Sequence, residues 1–215
     1  MSSAFSLRSS TFAIIPVKTL RRSKSRLARA LKAPVRAALT KSILSRTLDL
    51  LQQVDRITHT IVISNDITVL DLARSKQAID LVESESGLNA AIKQAATWSV
   101  DRGAGSILIV PSDLPLITSA DIESMLDLAV ELRCVVIAPD RRGEGTNALL
   151  VRPPDAIDFA FGAASFHTHT SQSKDLGLAV HVYQSTTIGL DLDIPEDLER
   201  YQNSAALLDP LLLSK

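Results

Sequence analysis

Three short stretches of this chain carry apolar residues toward both faces of whatever they form: Phe12–Val17 (FAIIPV), Ser106–Val110 (SILIV) and Cys134–Ala138 (CVVIA). A strand that is apolar on both sides needs cover on both sides, which a parallel sheet between two helical layers provides. The segments between them have helical spacing. Val35, Leu39, Ile43, Leu44, Leu48, Leu51 and Val54 recur at intervals of three and four, with Pro34 suited to a helix start, which predicts a helix over about 35–54. Strands alternating with such helices imply a mostly parallel, three-layer α/β/α fold with right-handed crossovers.

The rest of the chain extends the alternation. Thr58–Ser64 and Ile79–Val82 read as strands, with Asn65-Asp66 capping a helix that runs to Arg74. Leu88–Val100 reads as a helix ended by Gly103 and Gly105, and Thr118 with Asp121 forms a capping-box start for a helix over 119–131. Ala148–Val151, Ala179–Tyr183 and Thr187–Leu190 read as further strands, with a packed loop and a helix from about Ser165 to Leu176 between the first two. The last helix starts near Pro195-Glu-Asp. Length suits one domain. Residues 1–10 read as a disordered polar lead-in, 11–205 as the domain, 140–185 as an insertion forming a lid or side wing, and 206–215 as an apolar tail that packs back or pairs with a second subunit.

Composition excludes several functions. A net charge of -1 argues against a nucleic-acid coat, and aromatics at 4% are too few for base-stacking platforms. The one cysteine, Cys134, excludes an internal disulfide and a cysteine zinc cluster, and a reducing cytoplasm fits it. No run reaches membrane-span length, and the first ten residues lack a secretory apolar core. Gly143-Glu-Gly145-Thr-Asn-Ala148 matches a loose dinucleotide pattern, but a strand-like segment follows where a helix should start. The P-loop and the nucleophile elbow are absent. His167 and His169, two apart, diverge on a helix and read as ordinary surface or packing histidines.

Candidate chemistry gathers where strands end, the usual ligand position in open α/β sheets. After the first strand come Lys18, Arg21, Arg22, Lys24 and Arg26, five cations in nine residues, interleaved with hydroxyls. Alone, that run is a solvated loop as readily as a polyanion site. Asp113 follows the strand SILIV, and Asp191-Leu-Asp193 follows the expected strand Thr187–Leu190. Carboxylates two apart on an extended segment share a face, and such oxygens with phosphate suit magnesium. Together with the cations they describe a nucleoside triphosphate site. Asp113 as a turn cap and Asp193 as the cap of the last helix remain alternatives.

At these residues the chain resembles the guanylyltransferases of coenzyme F420 biosynthesis (CofC-like, in the nucleotide-diphospho-sugar transferase superfamily). The resemblance is carried by Ile15-Pro-Val-Lys18, Lys24-Ser-Arg26-Leu-Ala, Gly87-Leu-Asn89-Ala-Ala and Pro111-Ser-Asp113-Leu-Pro-Leu. It continues through Gly145-Thr146-Asn147-Ala-Leu-Leu, Phe161-Gly162-x-x-Ser165-Phe-x-x-His169 and Asp191-x-Asp193-x-Pro195-Glu-Asp-Leu. The blocks keep family order over about 14–198.

The resemblance implies a Rossmann-like nucleotidyltransferase fold of the GT-A kind. It implies a reaction of GTP with a small phosphorylated acid (2-phospho-L-lactate, phosphoenolpyruvate or a phosphoglycerate) with release of pyrophosphate. Lys18, Lys24 and Arg26 would hold the triphosphate, Gly87 and Asn89 the nucleoside side, and Asp113 with Asp191 or Asp193 a Mg2+ ion. Thr146, Gly162 and Ser165 would bind the acid, Ser165 with the help of a helix N-terminus. Ala163-Ala164 stand where the family often has Pro-Gly, a departure inside the acceptor loop. The alternatives are a related transferase acting on 3-phosphoglycerate, a sugar phosphate or a molybdopterin, and a nucleotide-binding domain without turnover. A homodimer is left open.

Overall fold

Even- and odd-numbered residues of the first strand part company across one sheet. The computed structural model describes residues 10–20 and 24–208. In chain order the elements are β1 (Thr11–Pro16), a 3-10 helix (Ser25–Arg29), α1 (Ala33–Gln52), β2 (Ile57–Ser64), α2 (Ile67–Ser75), β3 (Ile79–Val82) and α3 (Leu88–Val100). There follow β4 (Ser106–Ile109), α4 (Ser119–Leu128), β5 (Cys134–Pro139), β6 (Thr146–Arg152), α5 (Ser165–Asp175), β7 (Ala179–Val182) and α6 (Pro195–Leu208). The seven strands form a single sheet in the order β3-β2-β1-β4-β6-β5-β7.

Ala13 and Ile15 of β1 join Val62, Leu108, Val136 and Leu150 under α1, α2 and α4, which contribute Leu44, Val69 and Met125. Phe12 and Ile14 join Ile63, Ile107, Val135 and Leu149 on the other face, covered by α3 through Ile92 and Ala95 and approached by Phe166 of α5. Two-sided burial is the reason the central strands read as unbroken apolar runs. The three-layer fold is therefore as expected. α1 begins with Pro34 in its first turn, Asp66 caps α2 through the Thr68 N–H, and Thr118 and Asp121 form the capping box of α4.

Three expectations change. The segment 140–185 is neither lid nor wing. It supplies β6, which lies antiparallel between β4 and β5 in the middle of the sheet, and the edge strand β7. Six of the seven residues of β6 are buried, so this part of the segment is core. Next, Thr187–Leu190 is a turn. Ile188 and Leu190 are buried, which produced the strand-like alternation, but Gly189 N–H closes back onto Ser185 O at 2.9 Å and the segment pairs with no strand. Last, Ser10 is tied down: its carbonyl accepts from Gly105 and Ser106 N–H groups and its hydroxyl donates to Gly103 O. The remainder of the expected lead-in lies outside the described residues. Of the expected 206–215 tail, residues 206–208 continue α6 and the rest lies outside the described residues.

Asp121 holds the 183–187 segment against α4. Its buried carboxylate accepts from Thr118 N–H (2.8 Å), the Thr118 hydroxyl (2.7 Å), Tyr183 OH (2.9 Å), Ser185 Oγ (2.7 Å) and Thr187 Oγ1 (2.7 Å). Burial alone would raise its pKa, but the hydroxyls of Ser185, Thr118 and Thr187 and the Thr118 N–H outweigh that and hold it below the usual 3.8. A depressed carboxylate stabilises the fold above its unfolded pKa and loses that contribution as pH falls through the folded one. Asp121→Asn, which turns an acceptor toward a ring of donors into a mismatched amide, is expected to lower stability by about 3 kcal/mol. Urea unfolding from pH 7 down to the acid limit of the fold would show the wild-type advantage shrinking only below about pH 4. An equal gap at all pH values would contradict this role.

Candidate active site

The donor-side cations reach the sheet edge through a strained turn. β1 ends at Pro16, and Lys18 is exposed just beyond it. Lys24 has left-handed backbone angles (φ 50, ψ 41) ahead of the 3-10 helix, which is anchored by the fully buried Leu27. A lysine in that conformation costs about 1–2 kcal/mol, of the kind stored at functional sites. The turn sends Lys24 Nζ to the carbonyl of Leu192 at 2.9 Å, and Arg26 pairs with Asp193 at 3.3 Å. Arg21 and Arg22 lie outside the described residues.

The acids arrive from two directions. The chain leaves β4 through Pro111-Ser112-Asp113, pinned from behind by the buried Leu114 and Ile117. The 191–193 segment is stitched alongside by Leu192 N–H donating to the carbonyl of Asp113 at 3.1 Å. Three carboxylates thus crowd one place. Burial raises the Asp113 carboxyl above its ordinary value, with Lys24 and Lys18 pulling it back and Asp193 pushing it further. Asp191 is pushed up to about 6, by burial first and then by the charge of Asp113. Asp193 lies two residues ahead of α6, and Asp197 in the first turn of that helix reaches back to accept from the N–H groups of Asp193 and Ile194 at 3.2 and 3.0 Å.

Cations and acids share one cleft of about 150 Å³, lined among others by Lys18, Lys24, Leu88, Ser112, Asp113 and Asp193. Larger grooves exist, and charge decides against one of them. One of about 550 Å³ between residues 155–158 and α5 presents Asp155, Asp158 and Asp175 with no cation, and repels phosphate. Among the described residues no three His, Cys, Asp or Glu side chains already form a metal cage. The donor set still fits magnesium, which takes one or two carboxylates and completes its shell with phosphate oxygens and water. A divalent cation would also relieve the like-charge crowding that lifts Asp113 and Asp191.

The expected acceptor residues form a second group, outside that cleft. Gly162 (φ +143, a conformation reserved for glycine) turns the chain so that its carbonyl accepts from Ser165 N–H at 3.2 Å. Ser165, at the first position of α5, is buried, while Gly162, Ala163 and Ala164 are exposed. Ala164 takes left-handed angles (φ 55, ψ 24), which explains why glycine suits this place and why alanine here strains the loop. The N-terminal turn of α5 is partly occupied, since Phe166 N–H donates to Glu144 O at 3.0 Å. Thr146, at the start of β6, bonds His169 at 3.1 Å, which draws α5 and β6 together around the loop.

Asn89, expected on the nucleoside side, has both ends of its amide bonded within the protein. It sits in the first turn of α3, behind Gly87, whose positive φ (129) shapes the turn. Its Oδ1 accepts from Phe161 N–H at 2.8 Å and its Nδ2 donates to Phe161 O at 3.1 Å, so the amide clamps the acceptor loop to the donor half of the sheet. A second tie runs from Asn147 Nδ2 to Ile188 O at 2.8 Å, joining β6 to the segment that carries Asp191 and Asp193. Sequence reasoning missed the tie made by Asn147, the reach of Asp121 beyond its capping box to Tyr183, Ser185 and Thr187, and the bonding of His169. Asn147 and His169 left a sign as members of the resemblance blocks, and Asp121 as a helix cap.

Residues 11–201 match the family described as guanylyl transferase CofC like. The phosphoenolpyruvate guanylyltransferase of Rubrobacter xylanophilus is 41% identical over 198 residues, 92% of this chain and 96% of its own. The 2-phospho-L-lactate guanylyltransferase of Methanothermobacter thermautotrophicus is 40% identical over 193 residues, 87% of this chain and 82% of its own. Among solved structures, a nucleotidyl transferase from Methanothermobacter superposes with a TM-score of 0.70 at 12% identity, covering 93% of this chain and 99% of its own.

The Asn89 clamp has a direct readout. Asn89→Ala should speed amide hydrogen exchange over residues 160–164 at least tenfold, the amount expected from losing about 1.4 kcal/mol of local protection, and leave the sheet strands unchanged. Unaltered exchange in that loop would show that the amide is not what holds it.

Proposed function

The chain belongs to the CofC-like guanylyl transferase family and is a nucleotidyltransferase, and from that premise we propose a reaction of GTP with a small 2-phospho acid, phosphoenolpyruvate or 2-phospho-L-lactate, in coenzyme F420 biosynthesis. An oxygen of the acid's phosphate attacks the α-phosphorus of GTP. The bond from that phosphorus to the oxygen bridging the β-phosphate breaks, pyrophosphate leaves, and the guanylylated acid remains. The reading takes GTP and the acid as its ligands, no nucleic acid, and a cytoplasmic setting. No helix among the described residues is long and apolar enough to cross a membrane.

The observation that carries the reading is the shared cleft of Lys18, Lys24, Asp113 and Asp193. A phosphate monoester has its second pKa near 6 and is mostly dianionic at neutral pH, so it needs no general base and no activated nucleophile from the protein. The difficulty is to bring two anions together, which makes catalysis a matter of positioning and charge. In this reading Lys18, Lys24 and Arg26 receive the triphosphate, Lys24 and Arg26 exchanging Leu192 O and Asp193 for phosphate oxygens. The backbone turn at Gly87 borders the nucleoside, and Thr146, Gly162 and Ser165 receive the acid. Asp113 with Asp191 or Asp193 would hold a magnesium ion, which when bound supplies charge neutralisation at the α-phosphate and the departing pyrophosphate. Asn89, through Phe161, sets the distance between the two halves.

Pyrophosphate release from GTP should occur with phosphoenolpyruvate or 2-phospho-L-lactate, in preference to 3-phosphoglycerate, and should stop on chelation of divalent metal. CTP should support it at least tenfold less well. Asp113→Asn should lower kcat by about 10³, the scale of removing one strong electrostatic contact from a transition state. Turnover with none of the three acids, or full activity in Asp113→Asn, would overturn the proposal.

A further inference from the structure

His169 is fully buried on α5, in edge contact with Phe161 at 5.0 Å between ring centroids. Both ring nitrogens have partners. Ala160 N–H donates to Nε2 at 3.0 Å, and Nδ1 lies 3.1 Å from Thr146 Oγ1. A backbone N–H can only donate, so Nε2 must be bare. A neutral imidazole then carries its proton on Nδ1, and the imidazolium would set two donors against each other at Ala160. The second bond therefore runs from Nδ1–H to Thr146 Oγ1. A hydroxyl that accepts in this way keeps its own proton for a third group.

We propose that His169 is a positioning residue for the acceptor acid: it fixes Thr146 as a donor, with the hydroxyl proton directed at an oxyanion of the bound acid. The inference rests on the reading that Thr146 receives the acid. Burial supports it, since it lowers the His169 pKa to about 4 and keeps the ring neutral near pH 7. The same ring holds Ala160, one residue before the Asn89 clamp at Phe161, so hydroxyl and loop are set together.

The test uses the full chain with GTP, magnesium and, separately, phosphoenolpyruvate and 2-phospho-L-lactate. Thr146→Val should raise KM for the acid about tenfold and leave KM for GTP within twofold. His169→Leu should do the same. His169→Asn, whose Nδ2 can still donate from the Nδ1 position, should recover most of the loss, and the double variant His169→Leu/Thr146→Val should be no worse than Thr146→Val alone. Additive losses, equal losses in both KM values, or no recovery by Asn would overturn the inference. No effect of Thr146→Val would overturn the acceptor assignment itself, whereas an effect there with none at His169 would overturn only the positioning role. Nitrogen-15 NMR of the unmutated protein needs no variant to fold: the proton should sit on Nδ1, and a proton on Nε2 overturns the inference.

Discussion

The bond from Leu192 N–H to the carbonyl of Asp113 brings together two parts of the chain that electrostatics would keep apart. It lays Asp191 and Asp193 beside Asp113, in a place where burial first and like charge after it raise the Asp113 and Asp191 carboxyls. A fold gains nothing in stability from such an arrangement. It persists because neighbouring structure enforces it. Asp121 gathers Tyr183, Ser185 and Thr187, Asn147 holds Ile188, and Asp197 of the helix that follows reaches back to Asp193 N–H. These ties fix both ends of the acidic segment, and the cost of crowding is met by packing and hydrogen bonds farther along the chain.

The cations complete this picture. Lys24 and Arg26 reach across to Leu192 O and Asp193. The Arg26–Asp193 pair is exposed and so weak that a ligand can exchange it. In the proposed reading the loop and the acids are mutual placeholders, each trading its partner for a stronger one: phosphate oxygens for the lysines and arginine, a divalent cation for the carboxylates. Thr146, Gly162 and Ser165, the proposed acceptor group, stand apart from this cleft and are connected to it by Asn89 and Asn147. A two-substrate reaction on such a framework depends on how rigidly those two amides set the separation.

Much of this was legible in the sequence, and the failures share a cause. Phe12–Val17 and Cys134–Ala138 announce buried strands because two-sided cover leaves no polar alternation to hide them. Asp66, Thr118 and Asp121 announce helix starts because capping is local chemistry. What pattern reading cannot reach is the partner across space. β6 reads as a strand, but nothing in Thr146–Arg152 says that it runs antiparallel through the middle of the sheet. Thr187–Leu190 alternates like a strand because a tight turn also sends Ile188 and Leu190 inward. His167 and His169 look alike in sequence, yet one is exposed and the other is buried with both nitrogens bonded. Asn89 belongs to a block of the resemblance that suggests a ligand contact, and its amide is spent on Phe161. The residues of the donor cleft were the easiest to find, because charge beside the end of an apolar strand is visible in one dimension.

The Lys18/Lys24 cations and the Asp113/Asp191/Asp193 acids are proposed to form one triphosphate–metal site. That proposal is tested most directly by calorimetric titration of GTP into the protein over a range of magnesium concentrations, for the wild type and for Asp113→Asn. The account requires that wild-type affinity for GTP rise with magnesium and that Asp113→Asn lose most of that dependence, since the carboxylates and the phosphates share the ion. GTP affinity that is indifferent to magnesium, or a magnesium dependence that Asp113→Asn leaves intact, would contradict it.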